Sequence, residues 1–279
     1  MTVGEALAHG TRELANAGID TARLEAELLL AKACDDCARA LLYMELRREL
    51  SDEAEAAYSE LLARRSRREP LAYILGHWGF RRLTLKTDKR ALVPRPETEI
   101  VVERALEHLD GMDEPRVLDV GTGTGAIALA IADEHPDARV TAIDASEDAL
   151  ALARENLDLL GVNGRVRLVE HDLMEGLGRD DFDLVVSNPP YVEPEDIDTL
   201  QPEVRDWEPR IALVARGATE AVARAATEAL RPGGWIVLEI AENQAANVAN
   251  LLRALGYADL TIWPDMAGRD RVIEAQWSR

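Results

Sequence analysis

The chain of 279 residues is short of several things, and each shortage excludes something. Its two cysteines, Cys34 and Cys37, stand as Cys34-Asp-Asp-Cys37. They are too few for a disulfide framework, and with no second pair they fall short of the ligands a structural zinc requires. A reducing cytoplasm is therefore expected, with no metal. A redox CxxC opens a helix after a strand, whereas this one follows an apolar helix. A turn between two helices is the better expectation. No apolar run reaches the roughly 18 residues that mark a transmembrane helix, so no membrane partner is expected. Met1–Gly10 carries Glu5 and no apolar core, so no targeting signal is expected there. Basic residues are scarce: 32 Lys and Arg face 52 Asp and Glu, a formal net charge of −20. Only Lys32, Lys86 and Lys89 are lysines. A protein that grips a polyanion needs a basic footprint, so a direct nucleic-acid partner is disfavoured.

What is present is a globular chain, 47% hydrophobic and long enough for about two domains. Proline is absent until Pro70, and Leu24, Leu28 and Leu29 recur at helical spacing, as do Leu7 and Leu14 over two turns. Residues 1–75 are expected to form a small helical bundle. Asp20 and Ser51 are its candidate N-caps, with Asp52 and Glu53 favouring the positive helix end behind Ser51. Residues 76–95 read as a hairpin linker, from the partial alternation of Trp78, Phe80, Leu83, Leu85 and Thr87. A helix is expected over Thr98–Leu109. From Arg116 the texture becomes strand–helix alternation. The strand candidates are 117–120, 140–143, 166–169, 184–186 and 235–240, with helices near 126–134, 146–160 and 219–230. This pattern predicts a doubly wound α/β sheet over residues 96–279. Residues 258–263 and 271–277 are expected as two more strands, one inserted antiparallel at the sheet edge.

A glycine-rich loop follows the first of these strands, Val117-Leu-Asp-Val-Gly121-Thr122-Gly123-Thr124-Gly125-Ala126. Glycines permit positive φ and let backbone approach a ligand closely. Asp144 ends the second strand, nineteen residues after Gly125, where a carboxylate can accept from two ribose hydroxyls. The loop fits either a dinucleotide or S-adenosylmethionine. Asp119 tilts the choice, since a carboxylate facing the ligand repels a pyrophosphate and suits a sulfonium and an amino group. Asp172 is a candidate acceptor for an adenine amino group, or a solvated strand-end residue, with Leu173 packing on the ring.

After the fourth strand comes Ser187-Asn188-Pro189-Pro190-Tyr191. The carboxyl ends of strands are where ligands bind in such sheets. Two prolines fix the backbone and remove donors, leaving carbonyls to face a substrate. The Asn188 side-chain oxygen and the Pro189 carbonyl can together grip both hydrogens of a planar –NH2 group, and Tyr191 can pack flat on it.

On these residues the chain resembles the NPPY amino-methyltransferases, and most of all the release factor glutamine methyltransferase family. The resemblance extends over nearly the whole chain. It includes Pro70-Leu-Ala-Tyr73-Ile-Leu-Gly76, Leu92-Val-Pro-Arg95-Pro-Glu-Thr-Glu99, Glu203-Val204, Glu208-Pro209 and Leu238-Glu239-Ile240 with Gln244. It implies a Rossmann-like class I methyltransferase domain and a five-helix N-terminal domain that docks the release factor. It implies S-adenosylmethionine as cofactor and N5-methylation of the glutamine in the Gly-Gly-Gln loop of peptide chain release factors. Carried over, Gly121–Gly125, Asp144, Asp172, Leu173 and Asn188 are cofactor contacts, and Asn188–Tyr191 hold the glutamine, with Asn188, Pro189 and Tyr191 catalytic. A monomer is expected. Ribosomal-protein glutamine methyltransferases and nucleic-acid adenine-N6 methyltransferases share the tetrapeptide and are the alternatives. The chain departs from the family's glycine-rich pattern at Val214-Ala-Arg-Gly217-Ala-Thr-Glu220.

Other charged residues admit two readings each. Arg64, Arg65, Arg67 and Arg68 either complement a helix C-terminus or dock an acidic partner. Arg95, held between Pro94 and Pro96, is an active-site wall or an ion pair. Glu239 is a carboxylate supporting the site or a buried polar group. His77 and His171 are expected to be structural or solvated.

Overall fold

The first helix starts where its first free amides find acceptors. Thr2 Oγ1 accepts from the Glu5 amide while the Glu5 carboxylate accepts from the Thr2 amide, a reciprocal cap. Behind it run α1 (Val3–Asn16), α2 (Ala22–Ala33), α3 (Arg39–Met44), α4 (Asp52–Ser66) and α5 (Leu71–Leu75). The computed structural model describes residues 1–178, 180–214 and 216–278, apart from the Met174 side chain. Ser51 caps α4 by accepting from the Ala54 amide, as expected. Asp20 caps nothing. Helix α2 begins one residue later than an Asp20 cap would set it, after Thr21, whose hydroxyl donates to the Glu25 carboxylate instead of accepting from a helix amide. Cys34 closes α2 and Cys37 lies in the turn before α3, both as free thiols.

Packing divides the chain into two units. The smaller holds Met1–His77 together with the distant segment Gln201–Trp207, and the larger holds Trp78–Leu200 and Glu208–Arg279. The hairpin residues from Trp78 onward thus belong with the larger unit. Leu7, Leu14, Leu29, Leu30, Tyr58 and Leu62 form the core of the smaller one. Its basic cluster stands at the C-terminal end of α4, with Arg64 and Arg65 in the last turn as one of the two readings expected, and all but exposed Arg67 are paired within the unit. Buried Arg65 binds Glu25 at 2.5 Å and Glu203 at 2.8 Å, Arg68 binds Glu203 at 2.7 Å, and Arg64 binds Glu69 at 2.5 Å.

The larger unit opens with the hairpin β1 (His77–Phe80) and β2 (Leu83–Lys86), then α6 (Thr98–Leu109). Strands and helices then alternate: β3 (Arg116–Val120), α7 (Ala126–Glu134), β4 (Arg139–Asp144), α8 (Glu147–Leu160), β5 (Val166–Glu170) and β6 (Phe182–Ser187). After the short helix α9 (Pro202–Trp207), which belongs to the smaller unit, the larger one continues with α10 (Arg210–Leu213), α11 (Ala218–Ala229), β7 (Leu230–Glu239), α12 (Ala245–Leu255), β8 (Tyr257–Pro264) and β9 (Asp270–Trp277). The seven-stranded sheet has the order β5-β4-β3-β6-β7-β9-β8. All neighbours from β5 to β7 are parallel, and β9 runs antiparallel between β7 and β8.

The parallel strands are apolar because both faces are covered. Side chains alternate between those faces. Val117, Val140, Leu184 and Val237 pack with α6 and α7, whereas Leu118, Val185, Ile236 and Leu238 pack with α11 and α12. Helix α7, Ala-Ile-Ala-Leu-Ala-Ile-Ala, is buried from Ala126 through Ala132, so it needs no polar stripe. Among the described residues no helix is long and apolar enough to cross a membrane.

Arg65 joins two carboxylates inside the smaller unit, and removing it leaves buried Glu25 without its cation, whereas Glu203 keeps Arg68. Arg65→Ala is expected to lower unfolding stability by roughly 3–5 kcal/mol in urea titration. The exposed neighbour substitution Arg67→Ala is expected to change it by no more than about 0.5 kcal/mol. Equal effects would refute the ion-pair assignment.

Candidate active site

The winding of the sheet reverses between β3 and β6, which leaves a crevice at their carboxyl ends. The register pairs Val120 with Ser187. Ser187 Oγ donates to the Val120 carbonyl at 2.7 Å, buried. The glycine loop and the Asn188 loop therefore leave adjacent strands at one level. A cavity of about 430 Å³ opens there, walled by Gly121–Thr124, Asp144, Asp172, Leu173 and Asn188–Pro190.

The glycine loop is set by its backbone. The amides of Gly121 and Thr122 both donate to the Ile143 carbonyl, at 2.9 and 3.0 Å, which ties the loop to the end of β4. Gly121 has φ of 73°, and a Cβ there would meet nothing within 4 Å. Glycine is thus required by conformation and not by space. Gly125 differs from expectation: it lies outside the cavity wall. A Cβ on it would come within 2.9 Å of Leu129 and 3.4 Å of Ala153, so it serves close packing at the start of α7. Buried Asn156, which the sequence reading did not single out, donates to the Thr124 and Lys86 carbonyls and accepts from the Lys86 amide. It pins the far side of the loop to β2.

Asp144 accepts from the Gly123 amide at 2.8 Å and the Ser146 amide at 2.9 Å. Each oxygen keeps a lone pair for a ligand hydroxyl. Burial raises its pKa, against the pull of these amides. Asp119 corrects the sequence expectation. It shares the face of Val117, so it points beneath α7 and not into the cavity. Its Oδ2 accepts from Thr122 Oγ1 at 2.6 Å and from the Ala128 amide at 3.2 Å. Its Oδ1 is buried without a hydrogen-bond partner, and burial pushes its pKa up to about 7. Asp119 buttresses the loop and does not face a cation.

On the β6 side, Asn188 Nδ2 donates to Thr98 Oγ1 at 3.1 Å. Thr98 Oγ1 in turn donates to Glu239 Oε2 at 2.6 Å. Tyr191 is also corrected: it is absent from the cavity wall, and its hydroxyl donates to Glu239 Oε1 at 3.2 Å. Burial holds both the Tyr191 hydroxyl and the Glu239 carboxyl above their usual pKa. Thr98 was missed as a site residue although it sits within the Arg95–Glu99 run. Only its contacts mark it. Arg95 satisfies both of its readings, lining the cavity while Nη2 binds Glu208 at 2.6 Å. His171 lies in the wall with Nε2 against the Gly176 carbonyl at 2.5 Å, and His77 is exposed in β1.

The atypical stretch 214–220 contributes Arg216 and Gly217 to the wall, and Arg216 pairs with Glu195. Ala215 lies outside the described residues. Among the described residues no cluster of His, Cys, Asp or Glu could hold a metal.

Residues 5–76 match the PrmC N-terminal domain family, and residues 99–203 match the methyltransferase small domain. A release factor glutamine methyltransferase of Caulobacter vibrioides is 41% identical, over 98% of this chain and 96% of that one. Another, from Deinococcus radiodurans, is 42% identical over 99% of each. The chain belongs to the release factor glutamine methyltransferase family. A SAM-dependent O-methyltransferase from Thermotoga maritima superposes with a TM-score of 0.51 at 19% identity, covering 68% of each chain, a likeness of fold. The fold of this glutamine methyltransferase family member is accordingly the class I methyltransferase fold.

The buttress of this family member yields a stability prediction with a definite sign. Because the folded pKa of Asp119 is raised to about 7, the folded state holds its proton where the unfolded state has lost it. Its contribution to stability is complete below the ordinary carboxylate pKa and falls as pH rises toward 7. Asp119→Asn removes that loss and gives the orphaned position an uncharged group. The variant is expected to gain roughly 1–3 kcal/mol over the parent at pH 8, with the gain shrinking toward pH 5. Denaturant unfolding at several pH values measures it, and parallel curves would contradict the assignment.

Proposed function

We propose that the chain methylates the side-chain amide nitrogen (N5) of the glutamine in the Gly-Gly-Gln motif of peptide chain release factors, using S-adenosylmethionine. Family membership supports the chemistry and the substrate class. The observation that carries the reading is the pairing of Val120 with Ser187, which sets a glycine loop beside an Asn-Pro-Pro-Tyr loop. The net charge of −20 weighs against a polyanionic substrate.

The wall fits the cofactor. Gly121 leaves bare backbone, Asp144 keeps acceptor capacity for ribose hydroxyls, and partly buried Leu173 offers an apolar plate at the Asp172 end. When bound, S-adenosylmethionine supplies an electrophilic methyl group on a positively charged sulfur. A volume of about 430 Å³ is within the usual range for such ligand pockets.

The chain's own task is to present the amide. An amide nitrogen is a weak nucleophile because its lone pair is delocalised into the carbonyl. In this reading Asn188 Oδ1 and the Pro189 carbonyl accept its two hydrogens and hold its face toward the methyl donor. Orientation of this kind is worth roughly 7–11 kcal/mol of a barrier. The grip tightens as positive charge develops on nitrogen, so it favours the transition state over the bound substrate. Neither acceptor takes the proton, which leaves to water.

Labelled S-adenosylmethionine with a purified release factor is expected to label the Gly-Gly-Gln glutamine and to give no label once that glutamine is replaced. Label on a ribosomal protein or nucleic acid alone would overturn the reading. Asn188→Ala is expected to cut kcat about 100-fold or more while cofactor affinity falls by much less. Asp144→Ala is expected to weaken cofactor Kd by about tenfold or more, since it deletes charged hydrogen bonds. An unchanged calorimetric Kd in Asp144→Ala would remove that residue from the cofactor site.

A further inference from the structure

A carboxamide has two ends of similar shape and opposite hydrogen-bonding character. If Asn188 turned its NH2 group toward a substrate –NH2, two donors would face each other and the grip would fail. Something must choose the end. A half-turn about the terminal bond exchanges the two ends and leaves the loop backbone where it is, so the conformation of the loop alone does not choose, and the side chain's hydrogen bond is to Thr98.

Glu239 and Thr98 can choose it. Glu239 is 1% exposed at the end of β7, and Thr98 is 4% exposed at the start of α6. Both carboxylate oxygens of Glu239 receive donors, Thr98 Oγ1 at 2.6 Å and the Tyr191 hydroxyl at 3.2 Å. A hydroxyl has a single hydrogen. Once Thr98 commits it to the carboxylate, only lone pairs remain to face Asn188. The Asn188 end 3.1 Å from Thr98 must then be the donating NH2 group. Its oxygen is left for the cavity, which Asn188 lines.

We propose that Glu239 and Thr98 form a polarity relay that fixes the Asn188 carboxamide with its oxygen toward the substrate amide. Both are positioning residues, and neither touches the reacting atoms. Tyr191 completes the relay from within the same tetrapeptide by donating to the second carboxylate oxygen. The proposal deepens the function given above and rests on it.

Thr98→Val keeps the shape and removes the hydroxyl. Glu239→Gln keeps the shape and allows residue 239 to donate, which frees Thr98 to turn its hydrogen the other way. Thr98→Ser restores the hydroxyl. The experiment measures methylation of a purified release factor at saturating substrate and cofactor. S-adenosylmethionine Kd by calorimetry and melting temperature are read on the same proteins, with Asn188→Ala alongside. Thr98→Val and Glu239→Gln are expected to lose kcat by roughly 10- to 100-fold, the range seen where a residue that orients a metal ligand is removed. Thr98→Ser is expected to stay within about threefold of the parent, and cofactor Kd within about threefold in all of them. If Thr98→Val fails to fold, Glu239→Gln against Thr98→Ser carries the comparison. The relay is overturned if Glu239→Gln keeps the parent's kcat, if Thr98→Ser is as impaired as Thr98→Val, or if Kd collapses in step with kcat. A parent chain that leaves the glutamine unmodified, or an Asn188→Ala variant as fast as the parent, overturns the function itself. That pattern is distinguishable from a failure confined to positions 98 and 239.

Discussion

The pairing of Val120 with Ser187 is the constraint on which the candidate site depends. Two parallel strands brought into this register must release their next residues side by side. Those residues are Gly121 and Asn188, the first members of the two loops that wall the cavity. The Ser187 hydroxyl on the Val120 carbonyl is buried and holds the register at the last rung. A slip of one residue would turn every following side chain to the other face of the sheet. The chemistry of the loops is thus inherited from a ladder of Val, Leu and Ile that has no chemistry of its own.

Around that point the polar residues are arranged in supporting rows. Asp119 and Asn156 hold the glycine loop from below and from the side. Thr98, Glu239 and Tyr191 hold Asn188 from behind. Of these supports Asp119 and Glu239 stand on strands, Thr98 and Asn156 on helices, and Tyr191 on the loop itself. Ordering of this kind keeps reacting groups within the small tolerances that positional catalysis needs.

Much of this was legible in the sequence. The βα alternation, the antiparallel insertion of β9, the glycine loop with Asp144, and the Asn188–Pro190 loop all follow from apolar spacing and turn chemistry. What escaped has a common physical cause. Sequence order does not say which distant side chains meet. Thr98 and Glu239 lie 141 residues apart and become a pair only through the packing of α6 on β7. Arg65 and Glu203, 138 residues apart, form a part-buried ion pair that neither the helix-terminus nor the docking reading of the arginine cluster contains. The chemistry of Asp119 and Tyr191, a carboxylate for a cation and a ring for a planar amide, points each at the ligand, but neither lines the cavity. In Asp119 the alternation of β3 decides otherwise, and it was available to read: its parity with Val117 places it under α7.

In the proposed function the Asn188–Pro190 loop holds the glutamine amide nitrogen by acceptors alone, beside a cofactor held by the glycine loop. A crystal structure of the chain with S-adenosylhomocysteine and a Gly-Gly-Gln peptide tests it directly. The glutamine nitrogen is expected about 3 Å from both Asn188 Oδ1 and the Pro189 carbonyl, with Asn188 Nδ2 still on Thr98. A glutamine side chain bound elsewhere, or gripped with the Asn188 NH2 group facing it, would contradict the account.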